Sequence, residues 1–230
     1  MSSLGTKAQE NRAADATRPR RMTLRDITQI VFFAVAVRLF MMLFIGLRVR
    51  GREHLNGPGP FILIANHSSH LDTASLLSLF PLMRLRDVRP VAAADYFERN
   101  AVVRTLTRAF FNILPIARKN ITPENNPLRR MKEALDAGYS LLIFPEGTRG
   151  SGEEMGKFRS GVAHLLEQAP GVPVVPAYLV NMGRSLPKGA FIPVPFFCEV
   201  RLGAPCIIQG TRQEMIQELE AAVRELKEMD

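Results

Sequence analysis

The segment ITQIVFFAVAVRLFMMLFIGL, from Ile27 to Leu47, limits more than any other what this chain can become. As a helix, Ile30 to Leu47 would reach about 27 Å, close to the hydrocarbon thickness of a bilayer. Arg38 stands at its middle, where insertion scales charge roughly 2.5–3.5 kcal/mol. Both flanks are basic, with Arg18, Arg20, Arg21 and Arg25 before the run and Arg48, Arg50 and Arg52 after it, so charge asymmetry assigns no orientation. A helix lying in one leaflet, with both flanks on the same anionic surface, accommodates the arginine and the symmetric flanks. A single span with Arg38 snorkelling is the competing reading. A buried core helix fits less well, because the run is apolar nearly all round. The following text, RVRGREHL, carries no small-residue cleavage site, so the run is expected to be an anchor and not a removable leader.

Charge is informative once it is located. Residues 1–52 hold 10 Lys/Arg against 3 Asp/Glu, and residues 53–230 hold 20 against 19. The basic excess therefore belongs to the N-terminal part and not to a face of the folded module, which argues against nucleic-acid binding. A basic arm beside an apolar helix suits a surface of anionic lipid. The expected organisation is a basic arm over residues 1–26, a membrane-embedded helix over 27–47 and one domain over 50–230. The only two cysteines, Cys198 and Cys206, have no metal or disulfide spacing and read as buried free thiols.

Beyond residue 50, short apolar runs alternate with helix-like text, the pattern of a single α/β domain. Strands are expected at 61–65, 88–94, 113–117, 141–145, 172–180 and 196–203. Helices are expected after His70, over 96–111 and over 127–137, the last with Pro at its start and Gly138 as its stop. A C-terminal helix opens on the capping box Thr211-x-x-Glu214 and places Ile216, Leu219, Val223 and Leu226 on one face. Residues 187–195 read as a loop.

The stretch ANHSSHLDT, residues 65–73, follows the strand FILIA and gathers three possible chemistries. A serine nucleophile needs Gly-x-Ser-x-Gly, which neither Ser68 nor Ser69 has, so the serines are expected to cap the helix. A metal at His67-x-x-His70-x-Asp72 lacks further ligands, since only His54 and His164 are left, and none is expected. The third chemistry is a base with its orienter. Residues 67 and 72 lie about 140° apart on a continuous helix, so they meet only if His67 sits in the turn before it. Asp72 on one ring nitrogen would then orient the ring and support the imidazolium formed when the other nitrogen takes a proton.

A second polar cluster follows another strand, LLIFPEGTRG over residues 141–150. The C-terminal end of a strand is where α/β folds place ligand sites. Arg149 offers a planar fork for phosphate, and Gly147 admits a ligand close to the backbone. The later text from Gly152 to Phe158 has neither the spacing nor the Ser/Thr of a nucleotide P-loop.

Together these segments resemble the glycerolipid acyltransferase family that includes the lysophosphatidate (1-acylglycerol-3-phosphate) acyltransferases. Asn66-His67-Ser-Ser-His-Leu-Asp72 is similar to its N-H-x-x-x-x-D block, and Ile113-Leu-Pro-Ile-Ala-Arg118 to its second. Phe144-Pro-Glu-Gly-Thr-Arg149 is like the third block unaltered, and Val172-Pro-Val-Val-Pro176 is like the fourth. Two positions depart from the common pattern. Ala117 stands where many relatives have Asp, and Phe158-Arg159-Ser160-Gly161 stands in place of Phe-Lys-x-Gly.

The resemblance implies a mixed central sheet flanked by helices, and acyl transfer from acyl-CoA or acyl carrier protein to the free hydroxyl of lysophosphatidate. His67 would be the base and Asp72 its orienter. Arg118, Glu146, Gly147, Thr148 and Arg149 would bind substrate, the arginines on phosphate and Glu146 on the glycerol. Backbone N–H groups near Asn66 or Gly147 are candidate oxyanion stabilisers. No cofactor is implied beyond the thioester co-substrate. The expected setting is the cytoplasmic face of a membrane. Another lysolipid or lipid-like acceptor, or a non-catalytic lipid-binding protein on the same scaffold, are the alternatives.

Overall fold

A computed structural model describes residues 22–95, 105, 107, 109–150, 155–186, 194 and 196–229. Among these residues, seven strands form one mixed sheet: β1 (Arg48–Arg50), β2 (Ile62–Ala65), β3 (Val88–Ala93), β4 (Leu114–Ile116), β5 (Ser140–Ile143), β6 (Val174–Val180) and β7 (Glu199–Leu202). Their order is β1-β7-β6-β2-β5-β3-β4, parallel throughout except where β7 runs against β6. The six expected strands are all present. The sequence reading passed over β1, because Arg-Val-Arg carries only one apolar residue to signal a strand. It is held by pairing with β7.

The strand β2 is buried on both faces, as a near-continuous apolar run at the centre of a parallel sheet must be. Leu63 and Ala65 point into one core, with α1 (Leu24–Ile45) and α2 (Leu71–Leu79). Ile62 and Ile64 point into the other, with α3 (Pro127–Asp136), α4 (Gly161–Gln168) and α6 (Arg212–Glu228). A short helix, α5 (Met182–Ser185), follows β6. Layers of helix therefore cover both sides of the sheet. In α6 the capping box forms as expected, but Met215 fills the buried position at the helix start while Ile216 is only partly buried. The sequence reading missed α4. Of the expected 96–111 helix, only residues 105, 107, 109, 110 and 111 fall within the described residues. The expected 187–195 loop lies outside them but for Val194.

The apolar helix departs most from its sequence reading. It starts at Leu24 and not Ile27, because Thr23 and Asp26 form a capping box, and Gly46, at φ +59°, ends it two residues early. One stripe, Gln29, Phe33, Val37, Met41 and Ile45, is buried, and its four apolar members belong to the α2-side core. A pure α-helix overshoots a full turn by about 40° every four residues, so this stripe would wind around it. The more loosely wound π-helical stretches Phe33–Val37 and Met41–Ile45 take up that drift and keep the stripe on one side. Val31, Val35, Leu39, Met42, Leu43 and Phe44 face outward and are exposed.

Arg38 does not reach along the helix to a membrane surface. It turns inward, donating from Nε to Ser78 O (3.1 Å) and from Nη2 to Phe80 O (2.7 Å), while Arg52 Nε donates to Leu79 O (2.8 Å). These carbonyls end α2, where no intrahelical donor exists and positive charge is favoured.

Candidate active site

The site lies at the C-terminal ends of the adjacent strands β2 and β5. Asn66 makes the first turn possible. Past the last β2–β6 pair, Ala65 with Ala177, its side-chain amide takes over the ladder: Nδ2 donates to Leu179 O (3.1 Å), and Oδ1 accepts from Leu179 N (2.7 Å). The backbone is then at liberty to leave the sheet, and His67 sits in the turn before α2, as its pairing with Asp72 requires.

Asp72 is fully buried on the first turn of α2. Its Oδ2 accepts from Ser68 N (2.7 Å), Ser69 N (2.8 Å) and His67 Nδ1 (2.8 Å). Two backbone N–H groups already converge on this acceptor oxygen, so in the neutral ring the hydrogen belongs on Nδ1, facing Asp72, and the lone pair on Nε2. The imidazole stacks on Phe144, with centroids 4.1 Å apart and planes 17° apart. Its side chain keeps 20% exposure, and no described residue hydrogen-bonds Nε2. One edge of the ring is pinned and one face covered, leaving a basic nitrogen at the surface.

Of the two serines, Ser69 caps: its Oγ accepts from Leu71 N (3.2 Å) and donates to Leu186 O (3.0 Å). Ser68 does not cap; its side chain packs against Gly183. His70 occupies the N-cap position of α2. Desolvation lowers its pKa, and the nearby charges of Arg149 and His67 push the same way. Among the described residues, no group of three His, Cys, Asp or Glu side chains is placed to hold a metal ion.

The second loop braces the first. Glu146 is buried, and its Oε1 accepts from His67 N (2.9 Å); Gly156 N donates to the same carboxylate. Gly150 N donates to His67 O (2.9 Å), so both backbone groups of His67 are held by the PEGTRG turn. Glu146 thus faces the backbone of the first loop and of Gly156. Burial raises its pKa, and the two N–H donors oppose that rise. The candidate oxyanion donors are likewise engaged: His67 N by Glu146, and Gly147 N by Phe144 O (3.0 Å).

Three arginines surround this turn. Arg118, just past β4, donates from Nη2 to Gly147 O. Arg159 donates from Nε to Glu146 O (3.0 Å) and lies so close to Gly147 that a Cβ there would stand 2.9 Å from its Nε. Gly147 has φ +73°, so the turn needs glycine twice over. Arg149 is half-buried beside His70, with a buried Nη1 that has no hydrogen-bond partner among the described residues, and Thr148 is exposed at the turn's tip. The fold brings all seven expected site residues, His67, Asp72, Arg118, Glu146, Gly147, Thr148 and Arg149, to the same end of the sheet. Sequence reasoning gave no role to Asn66, Phe144 or Arg159. Their signal was their place in the family-like segments, Asn66 and Phe144 at the start of two blocks and Arg159 where Lys is common.

A family model for the acyltransferases matches residues 46–180, which include both loops. The chain belongs to the acyltransferase family. The chloroplastic 1-acyl-sn-glycerol-3-phosphate acyltransferase of Brassica napus is 29% identical to it over 62% of this chain and 39% of its own length. The 1-acyl-sn-glycerol-3-phosphate acyltransferase alpha of Mus musculus is 25% identical over 78% of this chain and 61% of its own. The acyltransferase therefore spans less than two thirds of either relative. Its fold is also that of the crystallised 1-acyl-sn-glycerophosphate acyltransferase of Thermotoga maritima, with a TM-score of 0.73, 21% identity, and 96% of this chain and 88% of that one covered.

Proposed function

We propose that this acyltransferase moves a fatty acyl group from acyl-CoA or acyl carrier protein to the free hydroxyl of lysophosphatidate, giving phosphatidate. The observation that carries the reading is His67, held on Asp72 at Nδ1 and stacked on Phe144, with Nε2 at the surface. Nε2 takes the hydroxyl proton as the oxygen attacks the thioester carbonyl, and the imidazolium returns it to the departing thiolate. The acceptor hydroxyl is itself the nucleophile, so no serine or cysteine elbow is needed. Arg118 and Arg149 hold the acceptor's phosphate, and Arg159 supports the turn that presents them. The names of the relatives favour this acceptor.

The proposed setting is supported by α1. Its buried stripe packs on the domain along the whole helix, which favours a helix lying in one leaflet over one that crosses the bilayer. The outward apolar face enters the cytoplasmic leaflet, and the basic residues around it meet anionic headgroups. Assaying the protein in mixed micelles with acyl-CoA and acyl carrier protein, against a panel of lysolipid acceptors, tests the activity. Lysophosphatidate is expected as the best acceptor. Replacing His67 with Ala is expected to lower transfer by at least about 10²-fold, and Arg149→Lys to raise KM for the acceptor more than it lowers kcat. Full activity in the His67 variant, or loss of activity on adding a chelator, would refute the mechanism.

A further inference from the structure

A cavity of about 300 Å³ lies at the far end of α2 from His67, between that helix and α1. Its walls include Arg38, Arg52, Met41, Met42, Leu47 and Ser78, and no carboxylate among the described residues lines it. The two guanidiniums meet because they bond successive carbonyls, those of Ser78, Leu79 and Phe80. Each carries more N–H donors than these bonds use. Two positive charges are thus held side by side with donors to spare and, among the described residues lining the cavity, no counter-charge beside them, an arrangement that suits the oxygens of a phosphate.

The apolar half of the wall narrows the choice of ligand. Met42 lines the cavity and is also 65% exposed on the outward face of α1, next to Leu43 and Phe44. A ligand with its phosphate between the arginines would lie against apolar side chains on leaving the cavity. We propose that this cavity binds the phosphate headgroup of an anionic membrane phospholipid, whose chains run along the outward face of α1. The choice of a lipid rests on α1 lying in a leaflet, as proposed above. The site is separate from the acceptor's phosphate site: the length of α2, about 13 Å, lies between the cavity and His67. Capping of α2 explains the three hydrogen bonds but gives no reason for a cavity with two clustered, uncompensated charges.

The chain has no Trp, so Met42→Trp places a single fluorescent reporter on the cavity rim. The full chain in neutral detergent is titrated with short-chain phosphatidylglycerol below its micelle concentration, with short-chain phosphatidylcholine, and with inorganic phosphate. A saturable emission change is expected with phosphatidylglycerol, weaker with phosphatidylcholine and weakest with free phosphate. Arg38→Gln and Arg52→Gln, in the same background, are each expected to weaken it about tenfold or more. Arg52 is exposed and, among the described residues, bonds only Leu79 O, so its variant folds even if the Arg38 variant does not. Unchanged titrations in a folded Arg52 variant would mean the arginines only cap α2, and would overturn the site. Free phosphate binding as tightly as phosphatidylglycerol would overturn the lipid assignment. Flotation on neutral phosphatidylcholine vesicles separates the two ideas. A protein that floats without binding the probe keeps the anchor and loses the site, and one that binds without floating does the reverse.

Discussion

Replacing Asp72 with Asn should separate the chemistry of the buried pair from its structural role. Asp72 Oδ2 serves two backbone N–H groups as well as His67, so Asp72→Ala would leave several donors unsatisfied in the interior. Asn has the same shape, and its amide oxygen can accept from Ser68 N, Ser69 N and Nδ1 alike. Exchanging a charged for a neutral acceptor costs about 1 kcal/mol for each of the two backbone bonds. It also spares the fold a buried charge, so Tm should fall by less than about 8 °C. Activity should fall far more. In the proposed mechanism the carboxylate stabilises the imidazolium formed during transfer, and unit charges about 4 Å apart attract by about 4 kcal/mol at an effective dielectric constant of about 20. The amide dipole keeps part of that, leaving a loss of about 3 kcal/mol, or about 10²-fold in kcat. Steady-state acyl transfer measured beside a thermal melt checks both numbers. An Asp72→Asn enzyme within tenfold of the parent, while folded, would refute the role given to the pair. So would a loss of activity that merely followed unfolding.

Three further outcomes follow from the geometry. Glu146 is pushed above its usual pKa mainly by burial, so its share of stability is fullest below its unfolded value and is lost as pH rises through the raised one. Melts across pH should show the parent gaining on Glu146→Gln as pH falls, and a gap independent of pH would contradict the assignment. Gly147→Ala meets both a left-handed backbone and Arg159, so a loss of about 1–3 kcal/mol is expected, with acyl transfer falling as the turn shifts. Phe33 is fully buried and Leu39 is 46% exposed on the same helix. Phe33→Ala should lower stability by about 3–5 kcal/mol, whereas Leu39→Ala should leave the melt within about 0.5 kcal/mol and weaken vesicle flotation instead. Equal effects on the melt would mean that α1 has no preferred face.

Much of the site was legible because its chemistry is local. His67 and Asp72 are five residues apart at a strand-to-helix junction, and one turn suffices to join them. The capping box at Thr211 and the proline-started α3 were equally readable, since each is decided within a few residues. The partner of Glu146 was not. A carboxylate beside Gly-Thr at a strand's end reads as a ligand contact, but this one bonds the backbone of a residue 79 positions away, across two neighbouring strands. Only the pairing of β2 with β5 brings them together.

The same division runs through α1. Length and composition alone pointed to an apolar helix of bilayer length near Ile27 to Leu47, and the structure places it at Leu24–Ile45. They could not say which side the protein keeps, because a helix that is apolar all round has no polar face to mark the outside. The tertiary structure decided it through the surfaces that pack against the helix, which select Phe33, Val37, Met41 and Ile45 and turn the others out. It also decided Arg38, whose partners are the unsatisfied carbonyls ending α2 some 40 residues on. An arginine's charge is plain in a sequence, but the dipole that receives it exists only once another helix has formed and ended beside it.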